Sequence, residues 1–390
     1  MRKYVIYIGT AFLPDKNAAA QRAMMICKSY RDNGKIPIII GFNKEFNGDL
    51  DICKSLKDYE NIQYYSMRYP RTTKEWIKQL YSIDQFTKVI NRYGIDQIHS
   101  IVVMDYMFIA LWRLNRFCES NNIKLVVDAV DWFNKSNYKF PKNIIKDLDT
   151  SIRMKYIYKK MKYMIVISSY LKNYYEGHVD NLVLIPGTVD LESEKWNKVK
   201  SYVGNNILTL GYAGDPGEKF EKERLDWLIK IVSKLNHNEI RCKLLLAGVE
   251  ESIIKNNIPE IFLLPNLKES VVFLGKIPHN KCLNMISKCD FSVIIRQNNL
   301  LNTAGFPTKL SESFACSTPV ISTPTGDIGR YIVNGINGFI TSECSMESLE
   351  ELINKIINLD KKEIAKMHVN TYKQNELLYQ NFNKEISKFI

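Results

Sequence analysis

The chain offers no cysteine pair of the kind that holds a metal. Its eight cysteines, Cys27, Cys53, Cys118, Cys242, Cys282, Cys289, Cys316 and Cys344, form no C-x-x-C pair and no His/Cys cluster with zinc spacing. Most sit among apolar residues, so buried free thiols in a reducing compartment account for them. Long apolar runs are also missing: nothing approaches the ~20 residues that span a bilayer. The short apolar stretch behind Arg2 and Lys3 reads as a first buried strand rather than a secretion signal. No candidate strand leads into Gly-x-Gly-x-x-Gly, which argues against a nicotinamide dinucleotide. No DNA- or RNA-reading motif accompanies the net charge of +12, so nucleic acid is not expected as a partner.

What remains is a globular composition, 45% hydrophobic and 25% charged, in 390 residues. That length exceeds one typical core, and two domains are expected. Part of the positive charge is local. Between Asp131 and Tyr163 lie Lys135, Lys139, Lys142, Lys146, Arg153, Lys155, Lys159, Lys160 and Lys162, opposed only by Asp147 and Asp149. Tyr138, Phe140, Tyr156, Tyr158 and Tyr163 are interleaved with them. Such a stretch is either a solvated helix face or a surface for anionic lipid, which attracts basic residues at roughly 1 kcal/mol each.

Short apolar runs alternate with helical patterns from end to end. Strands are expected at 4–8, 36–42, 62–67, 97–103, 124–130, 164–167 and 182–185, then at 208–212, 242–247, 271–274, 291–296, 319–323 and 338–340. Helices are expected between them, at 18–33, 74–93, 105–122, 222–235, 280–288, 308–315 and 345–358. This βαβ rhythm predicts an α/β chain of two doubly wound, Rossmann-like domains with parallel sheets covered on both faces. The polar stretch 191–206 reads as a hinge, which gives a first domain over 1–190 and a second over 207–372. The end, 373–390, carries Leu377, Leu378, Tyr379, Phe382, Ile386 and Phe389 at helical spacing and predicts an amphipathic helix.

The segment Gly305-Phe306-Pro307-Thr308-Lys309-Leu310-Ser311-Glu312, continuing through Ala315-Cys316-Ser317-Thr318-Pro319-Val320-Ile321, carries the most chemistry. A glycine-containing loop opens a short helix, and amide groups at a helix start favour an anion. Lys309 adds a full positive charge, and Glu312, one turn on, can accept hydrogen bonds from sugar hydroxyls. Phosphate donors beside a hydroxyl acceptor describe a nucleotide-sugar pocket. Arg296 ends a predicted strand and projects toward the same crevice, with a planar fork suited to phosphate oxygens. Two Asp-x-Asp pairs, Asp49/Asp51 and Asp147/Asp149, do not follow buried strands. They read as surface features, so no metal is expected.

At these residues the chain resembles the C-terminal half of family-four retaining glycosyltransferases, in the class called glycosyl transferases group 1. The resemblance implies the GT-B fold, with two Rossmann-like domains facing across a cleft and a final helix crossing back to the first. It implies a nucleoside-diphosphate sugar as co-substrate and metal-independent transfer with retention of configuration. Lys219, Arg296 and Lys309 would neutralise the leaving diphosphate, with Lys222 the alternative to Lys219 in the turn Gly211-Tyr212-Ala213-Gly214-Asp215-Pro216-Gly217-Glu218-Lys219. Glu312 would contact the ribose. The partner glutamate of the family's motif is replaced by Ala304, and backbone amides of Ala304, Gly305 and Phe306, beside Thr308, would hold the sugar or diphosphate instead.

By the same resemblance, backbone groups of Lys276 and Ile277 would read the base edge, and His279 would cap a helix or face solvent. Gly9, at the end of the first strand, would let a helix start approach a ligand, unless it serves close packing. Val130 stands where the family often has histidine. Asp131 keeps the neighbouring carboxylate, and Asp128 or Asp131 would bind a sugar hydroxyl or the acceptor. His99 reads as a satisfied histidine at a strand end. A glycan or lipid-linked acceptor in surface polysaccharide synthesis, and a cytoplasmic protein resting on the inner face of the plasma membrane, complete what the resemblance implies. Two alternatives stay open: a GT-B sugar-nucleotide epimerase, and a non-catalytic nucleotide- or glycan-binding partner, the latter suggested by Ala304 and Val130.

Overall fold

Runs of β-branched and aromatic residues set both sheets of the computed structural model, which describes residues 2–44, 51–132, 142–196, 202–217, 219–264 and 266–390. These residues fall into two units. The first comprises Met1–Asp190, Ala304–Phe306 and Leu378–Ile390; the second comprises Leu191–Thr303 and Pro307–Leu377.

The first unit is built on eight strands: β1 (Tyr4–Phe12), β2 (Ile36–Asn43), β3 (Lys57–Tyr59), β4 (Ile62–Arg68), β5 (Ile98–Met104), β6 (Lys124–Ala129), β7 (Tyr163–Val166) and β8 (Asn181–Leu184). Their order is β3-β4-β2-β1-β5-β6-β7-β8, and every neighbouring pair is parallel except β3 with β4. Val5, Ile6, Ile8, Ile38, Ile39, Ile40, Ile101, Val102, Val126 and Val127 are buried, as a parallel sheet covered on both faces requires. The helix Ala18–Asp32 starts at Asn17, whose side chain accepts from the Ala20 amide.

Three expectations needed correction here. The predicted helix 74–93 is two helices, Thr73–Tyr81 and Asp84–Tyr93, the first opened by a capping box between Thr72 and Glu75. β3 was not anticipated. It pairs through a two-residue turn at Glu60 and Asn61, both left-handed (φ 50° and 61°), and a glutamate there gives no turn signal. The C-terminal stretch is a 3₁₀ turn, Tyr379–Phe382, followed by a short helix, Asn383–Ser387, rather than one long helix. It is anchored by the Tyr379 amide on the Val189 carbonyl (3.0 Å) and by buried Ile386 and Phe389.

The second unit holds β9 (Leu208–Ala213), β10 (Cys242–Ala247), β11 (Val271–Phe273), β12 (Phe291–Ile294), β13 (Val320–Ser322) and β14 (Gly338–Ile340). They are all parallel, in the order β11-β10-β9-β12-β13-β14. Leu244, Leu246, Phe291 and Val293 pack with Ile229 and Val232 of the helix Leu225–Leu235 and with Leu349 and Ile353 of the helix Met346–Ile356. The winding direction reverses between β9 and β12. In doubly wound sheets the crevice at the carboxyl ends of the strands flanking such a reversal is where ligands bind.

Candidate functional site

The carboxyl ends of β9 and β12 carry a cluster of charges assembled from four segments. Arg296 lies two residues past β12, and its backbone is fixed on both sides. Its amide donates to Thr323 Oγ1 (2.9 Å), and its carbonyl accepts from Thr323 Oγ1 (2.6 Å) and Thr325 Oγ1 (2.8 Å). The guanidinium Nε donates to Glu223 Oε1 at 3.1 Å. Lys309, in the first turn of the helix Thr308–Ala315, pairs with the other carboxylate oxygen, Glu223 Oε2. Its ammonium also lies 4.1 Å from the centroid of the Tyr212 ring, at the end of β9. Arg296 has no further side-chain partner among the described residues, so its two terminal nitrogens are open donors.

Glu223 is the residue that sequence reasoning missed. It sits in the turn before the helix Leu225–Leu235, where the amides of Lys222 and Glu223 both donate to the Pro216 carbonyl (3.1 and 3.2 Å). The Arg224 amide donates to the Ile295 carbonyl (2.8 Å), which ties this turn to the end of β12. In Glu221-Lys222-Glu223-Arg224 nothing marks which acid is buried, and the run reads as solvated. The Glu223 side chain is fully buried all the same. Burial would raise its carboxyl, but Lys309 and then Arg296 outweigh that and hold it below the ordinary carboxylate range.

Gly214 makes room for this arrangement. Its φ is +140°, and a Cβ there would lie 2.7 Å from Lys309 Nζ. Lys309 itself is pushed down to about 8, first by burial and then by the positive charges of Arg296 and Lys222, against the pull of Glu223. An anion bound here would raise that value again. Affinity for the anion should therefore be full below about pH 8 and decline above it.

The other residues singled out by sequence are distributed as follows. Lys219 has an exposed side chain, and its amide donates to Glu221 Oε2 (2.8 Å); the alternative, Lys222, adds to the field at Lys309 after Glu223 and Arg296. Glu312 does not share the Glu223 cluster. Its Oε1 meets His279 Nε2 at 2.9 Å. His279 is exposed at the start of its helix and makes this contact from there. Thr308, half-buried, opens the Lys309 helix, and Gly305 and Phe306 are buried just before it. Lys276 is exposed, and its amide is engaged by Glu250 Oε1 (3.3 Å).

In the first unit, Gly9 lies inside β1, which runs on to Phe12. A Cβ there would lie 2.8 Å from Met104 Cε, so position 9 packs closely against β5. Asp131 is half-buried two residues past β6 and beside buried Val130. Asp128 is corrected from ligand contact to structure. It is buried and saturated by Arg22 (Nη2 at 2.6 Å) and the Tyr7 hydroxyl (2.6 Å), while Arg22 Nη1 reaches the Ile185 and Pro186 carbonyls. His99, at the start of β5, contacts Ser100 Oγ at 3.2 Å and is pushed down to about 4 by burial and then by Lys35 and Lys124.

Asp149 is not a surface residue. It accepts from the Phe108 amide (2.7 Å) at the start of the helix Phe108–Ser120 and lies 3.7 Å from Arg153. Asp51 caps a 3₁₀ turn through the Cys53 amide, and Asp49 lies outside the described residues, as do Lys135, Tyr138, Lys139, Phe140 and Glu218. Among the described residues no three His, Cys, Asp or Glu side chains gather as a metal-holding group. No described helix is long and apolar enough to cross a membrane.

Residues 216–374, which contain Lys219, Glu223, Arg296, Lys309 and Glu312, match the family described as glycosyl transferases group 1. An uncharacterized glycosyltransferase, MJ1178 of Methanocaldococcus jannaschii, is 23% identical over 308 residues, covering 77% of this chain and 76% of that protein. Sucrose-phosphate synthase of Thermosynechococcus elongatus superposes with a TM-score of 0.73 at 14% identity, over 99% of this chain and 98% of that one. HepE of Anabaena, in complex with UDP-glucose, does so with a TM-score of 0.63 at 15% identity, over 99% and 98%.

Proposed function

Given that residues 216–374 form a glycosyl transferases group 1 domain in a chain of the GT-B fold, we propose that this glycosyltransferase uses a nucleoside-diphosphate sugar. It passes the sugar, with retention of configuration and without a metal, to a glycan or lipid-linked acceptor in surface polysaccharide synthesis. The observation that carries this reading is the convergence of Arg296 and Lys309 on one buried carboxylate at the carboxyl ends of β9 and β12. Two fixed cations beside the amides of a helix start supply the charge compensation that a departing diphosphate needs. HepE, a neighbour in fold, is in complex with UDP-glucose, which supports the same donor class here.

In this mechanism the bond between the anomeric carbon and the diphosphate oxygen breaks first, and its electron pair leaves with the diphosphate. Arg296 and Lys309 stabilise that charge, with Lys222 or Lys219 adding to the field. The acceptor hydroxyl attacks from the face the diphosphate is leaving. A diphosphate oxygen takes the hydroxyl proton as the new glycosidic bond forms, so no protein nucleophile is needed. Glu312, with His279 on its carboxylate, would contact the donor ribose, as the family resemblance implies.

An acceptor at a membrane is supported by the outer face of the first unit. On the helix Lys142–Ile152, Ile144, Ile145 and Leu148 all face solvent, Leu148 at 57% exposure. On the helix Phe108–Ser120, Ile109 and Trp112 do the same, Trp112 at 48% and under the Arg116 guanidinium. Exposed apolar and indole groups on helices that also carry Arg113, Arg116 and Lys146 match the chemistry of an anionic bilayer surface.

Incubating the protein with UDP-, GDP- and ADP-sugars and lipid-diphosphate acceptors, with and without EDTA, tests the reading. Nucleotide release should require an acceptor and should survive chelation. Release without any acceptor would favour the epimerase alternative, and loss on chelation would overturn the metal-free step.

A further inference from the structure

A site built for a leaving diphosphate gains nothing obvious from a carboxylate in its wall, yet Glu223 is buried there and contacts both cations. It is not a stray surface acid: the turn that carries it is pinned to Pro216 and Ile295, and Lys309 Nζ reaches it past position 214, 2.7 Å from where a Cβ there would lie. Removing one partner of such a buried cluster leaves an uncompensated charge, so the group must be part of the site's balance. Arg296 gives Nε to Glu223, and its two terminal nitrogens have no side-chain partner among the described residues. Lys309 is held between Glu223 and the Tyr212 ring. With Glu223 ionised, the Arg296–Lys309–Glu223 cluster carries one net positive charge rather than two.

We propose that Glu223 is a positioning residue that aims Arg296 and Lys309 at the diphosphate and withdraws one unit of positive charge from their site, so that the product nucleoside diphosphate is released rather than retained. This rests on the diphosphate reading above. A site of two unbalanced cations would bind the diphosphate product most tightly of all, because the product carries more charge than the donor. The carboxylate lowers that affinity while keeping both cations oriented, which is the preorganisation that favours the transition state over the product.

Titration of UDP, GDP and ADP into the wild-type chain, Glu223→Gln, Glu223→Asp and Lys309→Met at pH 6.5 tests the inference. Glu223→Gln should bind its nucleoside diphosphate about tenfold more tightly, the effect of one partly screened charge. Its kcat and donor KM should fall together as product inhibition strengthens. Its affinity should also begin to decline at lower pH than in the wild type. The groups facing Lys309 are Arg296, Lys222, the Tyr212 ring and Glu223, and of the charged ones only Glu223 favours its protonated form. Glu223→Asp, which keeps the charge, should bind like the wild type.

A folded Glu223→Gln with wild-type affinity and an unchanged alkaline decline would overturn the proposal. If Glu223→Gln does not fold, Lys309→Met/Glu223→Gln compared with Lys309→Met carries the same test, because both lack the ammonium. The double variant should again bind about tenfold more tightly, and equal affinities refute the role of Glu223. Failure of the underlying reading looks different. The wild type would then bind none of the three nucleotides, or Lys309→Met would bind them as tightly as the wild type.

Discussion

Replacing Lys309 by methionine keeps most of the apolar stem and removes the charge. In the folded protein Lys309 contacts Glu223 and the face of Tyr212, and its side chain is 17% exposed. A hydrogen bond from an ammonium to a phosphate is worth about 1.5–3 kcal/mol, so kcat/KM for the donor should fall about 10- to 150-fold. The substitution also leaves Glu223 with Arg296 alone. Breaking a buried pair outright costs about 3–5 kcal/mol, but here one cation stays, so about 1–2 kcal/mol is expected. That loss corresponds to a fall in Tm of a few degrees, at about 2–4 °C per kcal/mol.

Initial rates against donor concentration, together with a melting curve, separate the two effects. The double variant Lys309→Met/Glu223→Gln sharpens the separation. It removes the unbalanced carboxylate and should recover the lost stability, but it still lacks the ammonium and should remain impaired in kcat/KM. If Lys309→Met keeps kcat/KM within about threefold of the wild type, or if the double variant regains full activity, Lys309 is a structural cation and the reasoning fails.

Other outcomes follow from the same geometry. Affinity for the nucleoside diphosphate should hold steady below about pH 8 and then fall by up to tenfold per pH unit as Lys309 loses its proton; a flat profile to pH 9.5 would show that its charge is not used. Asp128→Asn should lower stability by about 3–5 kcal/mol in urea unfolding, because it strands Arg22 in the interior; wild-type stability would mean the pair is not structural. Ile144→Glu/Leu148→Glu should abolish cosedimentation with vesicles of phosphatidylglycerol and phosphatidylcholine. Absence of wild-type binding to those vesicles would remove the membrane reading.

The alternation of buried strands with helical patterns was written locally. Stretches such as Ile38-Ile39-Ile40 and Val126-Val127 admit few conformations other than a covered parallel strand, and the sheets formed where those runs lie. The cations of the site were legible for a similar reason. Lys309 follows a glycine loop at a helix start and Arg296 follows a strand, so each announces its position by its neighbours in sequence. Elements without a local signal were not legible: β3 depends on a turn made by Glu60 and Asn61, and the final residues owe their shape to anchoring on Val189.

The largest gap concerned which charges are buried and with whom. Asp128, Asp149 and Glu223 look like ordinary hydrophilic residues in sequence, and each became an interior carboxylate only when distant segments met it: Arg22 at Asp128, the Phe108 amide at Asp149 (whose cation, Arg153, is only one turn on), and Lys309 with Arg296 at Glu223. Sequence determines the period of burial along each element, because that period follows from backbone geometry within a few residues. It does not determine the electrostatic partner of a side chain, because Coulomb energy and desolvation depend on through-space distance between segments far apart in the chain. The fold was therefore decided by local pattern, and the charge state of the candidate site by the tertiary structure alone.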